Sequence, residues 1–412
     1  MRYLCCMPSY TADYVFPISS APIRNGIIVT DESGHIRDVI DPAKGSGGKA
    51  SLGPENTAPA SAPKKIEGVL VPGFVNAHCH LELSHLQGKS QTGKTLLPFL
   101  VDVVTLRETD PEVIEAAIRE QDRLMWEGGI QAVGDICNKP DTAATKRKSP
   151  IRYYSFVEMF DFLQEERAQA SFELYLPAYE QQPEPKSAVP HAPYTVSEAL
   201  YQKINALNTD NETVSIHNQE TAAEDELFQT GAGEFRSFFE GFGTSLDGFN
   251  APGTPSLYHA IQHMDPGKRT LFVHNTLTSP EAILAAEAWG DRGVYWVTCP
   301  NANLYIENRL PRYDRFLDAG VKVCVGTDSL TSNWQLSIVE ELKTIARFQS
   351  YVPFASLLRW ATLNGAEALQ FDDELGSLEV GKRPGLVALT GLSGADPDSF
   401  TFTPHSEARR VV

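Results

Sequence analysis

Four histidines and an aspartate at the ends of apolar segments have the chemistry of metal ligands. His78 and His80 flank Cys79 at the end of a run rich in β-branched residues. Side chains at i and i+2 of a strand point to the same face, so both imidazoles can reach one ion. The other candidates each end a separate apolar run: His217, His274 and Asp328. Imidazoles combined with a carboxylate predict Zn²⁺, or Fe²⁺ as an alternative.

Glu220 is the candidate for proton transfer beside such a metal. It follows His217 by three residues, where the chain leaves its apolar run. A bound metal supplies hydroxide at neutral pH, and the reaction then needs an acid–base group nearby. The alternative for Glu220 is an ordinary glutamate in the first turn of a helix. The alternative for each histidine taken alone is a buried, hydrogen-bonded core residue.

Eight apolar runs separated by helical patterns would position these side chains. The predicted strands are Val69–Ala77, Gly129–Ile136, Arg152–Met159, Ala188–Tyr194, Thr213–His217, Thr270–His274, Val294–Thr298 and Val321–Thr327. Helix starts are predicted at Asp110-Pro111, Ser197 and Ser279-Pro280. This alternation predicts an α/β fold with a parallel sheet, and eight repeats predict a (β/α)₈ barrel of the TIM type. The carboxyl ends of the strands of such a barrel converge on one site.

Both ends of the chain are predicted to form a smaller β-unit. The N-terminal strand candidates are Tyr14–Pro17, Gly26–Thr30 and Arg37–Ile40. A stretch rich in Gly, Pro and Ser, from Asp41 to about Pro63, indicates a loop, and the tail from Gly376 indicates a turn and a short strand. Because domain termini often lie close together, we expect residues 1–67 and 370–412 to form a composite β-sandwich domain. Residues 68–369 would form the barrel.

The charge balance and cysteine pattern limit the classes of partner and compartment. Lys and Arg total 35 against 53 Asp and Glu, which gives a net charge of −18. A surface this acidic repels the phosphates of nucleic acids and of anionic membranes, so neither is expected as a partner. We expect a small-molecule substrate. The six cysteines form no CxxC pair, and neither a signal-peptide pattern nor a membrane-length apolar run is present. We therefore expect a cytoplasmic protein; its oligomeric state stays open, a homo-oligomer included.

The ordered motifs resemble those of the amidohydrolase superfamily over nearly the whole chain. The likeness rests on the segments Val71–His80, His217–Glu220, Phe272–Asn275, Val325–Ser329 and Gly376–Leu389. The His217–Glu220 segment, His-Asn-Gln-Glu, resembles the motif of the branch that deaminates purines, pterins and triazines.

The resemblance implies a role for each matching residue. One metal ion would be held by His78, His80, His217 and Asp328. Asp328 would also accept a proton from the nucleophile. Glu220 would protonate a ring nitrogen and pass the proton to the departing ammonia, and His274 would hydrogen-bond at the attacked centre.

Two further segments narrow the resemblance. Hydantoinases and other relatives with two metals usually carry a lysine at the end of the fourth strand, where this chain has His191-Ala-Pro-Tyr. Together with His80-Leu-Glu-Leu-Ser, this segment resembles the aminodeoxyfutalosine deaminases, which act on a 6-aminopurine nucleoside. The resemblance implies that Glu82 and His191 contact the substrate. Arg309 is a candidate partner for a substrate carboxylate, with an ordinary surface position as its alternative.

Other functions are less well supported by these residues. The same chemistry on another ring, such as guanine, a pterin, S-adenosylhomocysteine or a triazine, is the main alternative. Cleavage of a cyclic amide is disfavoured because the fourth-strand lysine is missing. A binding module without catalysis is disfavoured because every candidate ligand and Glu220 are present.

Overall fold

The computed structural model describes residues 7–47, 62–209 and 211–412, which contain 17 strands and 14 α-helices. The strands are β1 Ser9–Thr11, β2 Tyr14–Val15, β3 Ile23–Arg24, β4 Ile27–Thr30, β5 Ile36–Ile40, β6 Lys64–Lys65, β7 Val69–Pro72, β8 Phe74–Cys79, β9 Ile130–Cys137, β10 Arg152–Met159, β11 Lys186–Pro190, β12 Thr213–Asn218, β13 Arg269–His274, β14 Val294–Thr298, β15 Lys322–Val325, β16 Leu386–Thr390 and β17 Glu407–Arg410.

The helices are mostly short and alternate with the strands after β8. The α-helices are α1 Leu96–Leu106, α2 Pro111–Glu127, α3 Ala143–Lys146, α4 Ala168–Gln181, α5 Glu198–Leu207, α6 Ala222–Thr230, α7 Glu234–Gly241, α8 Ser256–His263, α9 Pro280–Trp289, α10 Pro300–Glu307, α11 Tyr313–Ala319, α12 Ile338–Phe348, α13 Phe354–Trp360 and α14 Leu363–Ala368. The 3₁₀ helices are Pro42–Gly47, Leu81–Leu86, Glu165–Arg167 and Pro193–Thr195. No described helix is both long and apolar enough to cross a membrane.

The chain divides into two compact units. The first contains Met1–Val75, Trp126–Gln131 and Leu342–Val412, and the second contains Asn76–Met125 and Ala132–Glu341. The boundaries therefore fall within β8, α2, β9 and α12.

Two sheets form the strand framework of the first unit, with orders β5-β4-β1-β6 and β17-β16-β7-β2-β3. The tail strand β16 pairs with β17 and with β7, both in antiparallel register, and Ala388 lies opposite Leu70 of β7. Strand β7 in turn pairs with β2 in parallel. Apolar residues from both sheets belong to one buried cluster, among them Ile28 of β4 and Leu386 of β16.

Two parallel four-stranded sheets carry the second unit, with orders β11-β10-β9-β8 and β12-β13-β14-β15. Almost every residue of these strands is buried, as expected for parallel strands covered on both faces. Hydrogen bonds also join the sheet edges: the His217 amide donates to the His191 carbonyl over 3.0 Å, and Cys79 forms a parallel bridge with Asp328. The predicted α/β class with parallel sheets is confirmed.

The first predicted strand, Val69–Ala77, is wrong as a single element. The strand is interrupted at Gly73: β7 ends at Pro72, β8 begins at Phe74, and the two strands belong to different sheets. A Cβ at Gly73 would lie 2.2 Å from Gln131 Cγ and 2.7 Å from the Pro384 carbonyl oxygen. The Gln131 side chain and the Pro384 backbone therefore lie too close to residue 73 for any side chain there, and only glycine fits.

The fourth predicted strand also ends earlier than expected. Strand β11 stops at Pro190, and Pro193 begins a 3₁₀ turn, so His191 follows the strand instead of lying within it. The strand predicted as Val321–Thr327 is shorter as well, because the amides of Thr327 and Asp328 turn to the His78 carbonyl.

The three predicted helix starts are confirmed. Asp110 Oδ1 accepts from the Glu112 amide before α2, and the hydroxyls of Ser197 and Ser279 accept from backbone amides in the first turns of α5 and α9. Of the predicted Asp41–Pro63 loop, Pro42–Gly47 is a 3₁₀ helix, and 48–61 lie outside the described residues.

Candidate active site

The predicted ligand side chains meet at the carboxyl ends of the second unit's strands. His80 Nε2 lies 3.3 Å from His217 Nε2 and 3.4 Å from Asp328 Oδ1. His78 Nε2 lies 3.7 Å from the same Asp328 oxygen. The ring centroids of His217 and His274 are 5.5 Å apart. Five residues from four strand ends thus surround one small volume.

Unusual backbone brings Asp328 to this cluster. Its φ is +57°, a left-handed conformation that non-glycine residues seldom adopt, and its amide donates to the His78 carbonyl over 3.1 Å. A Cβ at Gly326 would lie 2.8 Å from His78 Cβ and 3.0 Å from Cys299 Sγ. Glycine at this position lets the two strand ends approach closely enough for Asp328 to face His80.

The donor set fits a divalent metal ion. Neither ring nitrogen of the fully buried His78 has a hydrogen-bond partner among the described residues. Buried polar atoms without a partner are costly, and a metal bound to one ring nitrogen would remove part of that cost. Ligand atoms of His78, His80 and Asp328 lie within 4.8 Å of one another, as do those of His78, His217 and His274.

Hydrogen bonds orient two of these rings with Nε2 towards the centre. His217 Nδ1 lies 2.6 Å from the His191 carbonyl oxygen, and His274 Nδ1 lies 2.8 Å from Asn303 Oδ1. An Nδ1–H that donates to an acceptor fixes the tautomer and leaves Nε2 with a lone pair. Burial lowers the pKa of His217 and of His274, and lowers that of His80 to about 3. Neutral imidazoles are the form that binds metals.

The Asp328 carboxylate is held in its ionised form. Burial alone would raise its pKa, but the nearby imidazoles of His78, His80 and His274 hold it well below the usual range. Its second oxygen, Oδ2, accepts from Ser332 Oγ over 2.6 Å. Oδ1 is therefore the oxygen that faces the histidines.

Glu220 lies beside this cluster in a form suited to carrying a proton. Its Oε1 lies 3.8 Å from His274 Nε2, and the side chain is buried. Burial, together with the negative charges of Asp328 and Glu307, raises its pKa well above the usual value. A neutral carboxylic acid close to neutral pH can donate a proton.

The backbone around Glu220 is fixed by Glu224 in the first turn of α6. Glu224 Oε1 accepts from the Gln219 amide and Oε2 accepts from the Glu220 amide, each over 3.0 Å. Ser256 Oγ donates to Glu224 Oε1 over 2.5 Å. These bonds hold Gln219 at a φ of +45°, which turns Glu220 out of the β12 line and beside His274.

An open cavity of about 560 Å³, part of it in contact with solvent, leads to the cluster. Part of its wall is apolar and consists of Leu83, Leu96, Phe99, Leu100 and Val103. The predicted substrate residues Glu82 and His191 line it, whereas Arg309 is exposed beyond α10 and is absent from its described lining.

Two charged residues of the cavity were missed by the sequence analysis. Arg107, which follows α1, lies 2.6 Å from Glu82 Oε1, and Glu158 stands near the end of β10. Nothing in the sequence around Arg107 indicates its position. Glu158 could have been found, since it is the penultimate residue of the correctly predicted strand Arg152–Met159.

Comparison with known families assigns the chain. The amidohydrolase family model matches residues 69–410. The chain belongs to the amidohydrolase family. The motifs that carry the resemblance therefore belong to a member of this family. Enzymes of this family hydrolyse carbon–nitrogen bonds.

Named relatives of this amidohydrolase are deaminases. An adenosine deaminase of Helicobacter pylori is 28% identical, over 77% of this chain and 78% of the relative. An aminodeoxyfutalosine deaminase of Nitratiruptor sp. is 27% identical, over 76% and 77%. A solved adenosine deaminase from Xanthomonas campestris, with zinc bound, superposes with a TM-score of 0.67 at 25% identity, over 93% of this chain and 84% of that one. This solved relative shows that a zinc ion binds in a protein of this fold.

Proposed function

We propose that this amidohydrolase is a hydrolytic deaminase that uses one divalent metal ion, Zn²⁺ or alternatively Fe²⁺, to release ammonia from a 6-aminopurine nucleoside. The observation that carries the proposal is the buried Glu220 carboxyl, 3.8 Å from His274 and next to the cluster of candidate ligands. An acid at this position can protonate a ring nitrogen while a nucleophile adds to the adjacent carbon. The deaminase relatives support the same reaction class.

The fold that we propose for this activity is a (β/α)₈ barrel with a composite β-sandwich. Contacts at both sheet edges of the second unit support closure: the Cys79–Asp328 bridge on one side, and Ser187 Oγ donating to the Thr213 carbonyl on the other. We propose residues 1–67 and 370–412 as the β-domain and 68–369 as the barrel, except that β7 pairs with β2 and β16 and so lies in a sheet of the first unit.

The proposed ligands are His78, His80, His217 and Asp328. When bound, the metal lowers the pKa of water towards ~7 and so supplies a hydroxide nucleophile at neutral pH. The neutral imidazoles and the ionised Asp328 carboxylate supply lone pairs without first losing a proton. Asp328 Oδ1, which faces the cluster, would also accept the proton that the nucleophile gives up.

Glu220 and His274 would act on the substrate itself. Protonated Glu220 donates to a ring nitrogen, which makes the neighbouring carbon electrophilic, and its carboxylate then carries a proton to the departing amine. Asn303 holds the His274 ring, so the Nε2 lone pair would accept a hydrogen bond from the attacking hydroxyl next to the attacked carbon. Water supplies the oxygen and both protons: one proton stays on the ring nitrogen, the other leaves with the amine as ammonia, and a carbonyl replaces the amine.

A screen of substrates tests this proposal. Purified, zinc-loaded protein would be assayed for ammonia release from adenosine, 5′-methylthioadenosine, S-adenosylhomocysteine, adenine, guanine and a pterin. We expect 6-aminopurine nucleosides with a 5′ substituent to exceed free adenine in kcat/KM, because buried polar groups of the site would lack partners when the sugar is missing. Glu220→Gln is the matched inactive control.

The outcomes separate the two parts of the proposal. Faster release from guanine or a pterin would reject the nucleoside while keeping the deaminase. No ammonia from any amino heterocycle, with metal bound, would reject both.

A further inference from the structure

Glu158 has a carboxylate oxygen for which the described residues provide no hydrogen-bond partner. The side chain is buried near the end of β10 and lines the cavity. Its Oε1 accepts from Asn138 Nδ2 over 2.8 Å, but Oε2 has no hydrogen-bond partner in the described part of the chain. A buried acceptor without a partner costs about 1–3 kcal/mol, and more when the group is charged. A ligand that donates to Oε2 would recover this free energy.

Glu82, the cavity carboxylate that the sequence analysis expected to contact the substrate, already has hydrogen-bond partners in the protein. Arg107 Nη2 donates to its Oε1 over 2.6 Å, and the amides of Asn138 and Lys139 donate to its Oε2, each over 3.2 Å. Asn138 thus bonds to Glu82 through its backbone and to Glu158 through its side chain. Of the two carboxylates, Glu158 is the one with an oxygen left for a substrate.

The position of Glu158 limits which substrate atom can reach it. A ligand atom of Glu158 lies within 4.8 Å of those of His191 and His217, in a group that does not include His274. A 6-aminopurine nucleoside has hydrogen-bond donors only on its exocyclic amine and its sugar hydroxyls. Deamination requires the amine at Glu220 and His274, so hydroxyls remain as donors for Glu158.

We propose that Glu158 is a specificity-determining residue whose Oε2 accepts a hydrogen bond from a sugar hydroxyl of the substrate. This inference rests on the proposed function. Glu82 acts indirectly. Its carboxylate binds Arg107 and the Asn138 amide, and the Asn138 side chain in turn orients Glu158. The enzyme would therefore reject nucleosides that lack the contacted hydroxyl.

The test compares a ribonucleoside that the enzyme deaminates with its 2′-deoxy and 3′-deoxy analogues. In the wild type, removal of the contacted hydroxyl should lower kcat/KM about 10- to 150-fold, the range for a hydrogen bond to a charged group. Glu158→Gln retains an oxygen for Asn138 but replaces the acceptor Oε2 with an amide NH₂ group, which can only donate. It should reduce the ratio of ribo to deoxy activity to about threefold or less. Glu180→Gln, an exposed change on α4, is the control and should keep the wild-type ratio.

Several results would overturn this assignment. The assignment is wrong if the wild type deaminates the ribonucleoside and both deoxy analogues with equal kcat/KM. It is also wrong if Glu158→Gln deaminates the ribonucleoside and keeps the wild-type ratio of ribo to deoxy activity. A second metal ion that binds the wild type and is lost from Glu158→Gln would assign the carboxylate to metal binding instead. If no nucleoside releases ammonia, the proposed function fails together with this inference.

Discussion

Lys146→Met should destabilise the second unit strongly, because it breaks a fully buried ion pair. Lys146 Nζ lies 2.7 Å from Asp135 Oδ2, and both side chains have 0% exposure. The amine also donates to Ser155 Oγ over 3.0 Å and Gln182 Oε1 over 3.1 Å. Burial alone would lower the pKa of Lys146, but the Asp135 charge raises it above its usual value.

The size of the effect follows from this geometry. At 2.7 Å and an effective dielectric constant of about 20, the Coulomb attraction is about 6 kcal/mol. Desolvation offsets part of it, whereas removal of one partner leaves a buried charge behind, which typically costs about 3–5 kcal/mol. We expect a loss in that range. Asp135 Oδ1 accepts from the Leu81 amide over 2.8 Å, so the segment that carries His80 should also loosen.

Urea unfolding at pH 7, followed by circular dichroism, measures the loss. Lys148→Met, an exposed change two residues away, is the matched control and should change the free energy of unfolding by less than about 0.5 kcal/mol. Adding Asp135→Asn to Lys146→Met removes the orphaned charge and should restore at least about 1 kcal/mol. The reasoning is refuted if Lys146→Met costs no more than the control, or if the double variant is no more stable than the single one.

Three further changes probe the proton-transfer groups and the buried acids. Glu220→Gln should lower kcat by about 10² to 10⁴ with metal content unchanged; near-normal turnover would assign the proton transfer elsewhere. His274→Asn should lower kcat by about 10² to 10³ while one metal ion stays bound, and loss of the metal would make it a primary ligand. Burial raises the pKa of Glu341 to about 8, above the value near 4.5 expected when unfolded. Its contribution to stability is therefore complete below pH 4.5 and lost as pH rises towards 8, by up to about 1.4 kcal/mol per pH unit. Glu341→Gln should flatten this part of the stability profile, and an unchanged slope in urea titrations would contradict the assignment.

The parallel strands and the ligand cluster were predictable because their signals are local. Apolar runs such as Arg152–Met159 and Val294–Thr298 have the observed bounds, since buried parallel strands need continuous apolar sequence. Parallel strands place their carboxyl ends together, so a histidine that ends a run, such as His274, could be placed before its neighbours were known.

Features that depend on contacts distant in sequence were not predictable. The break at Gly73 arises from the Pro384 carbonyl and Gln131, which no local pattern reveals. The Glu82 carboxylate is bound by Arg107, which lies 25 residues further along the chain. Arg309 was chosen for its charge alone, and its exposure could not be inferred from the surrounding sequence.

Titration of metal-free protein with Zn²⁺, with ammonia release from an adenosine-type nucleoside as the readout, tests the central claim most directly. Activity should rise in proportion to added metal and reach its plateau at one ion per chain, because His78, His80, His217 and Asp328 form one donor set. Full activity in the absence of bound metal, or a plateau only at two ions per chain, would contradict the account.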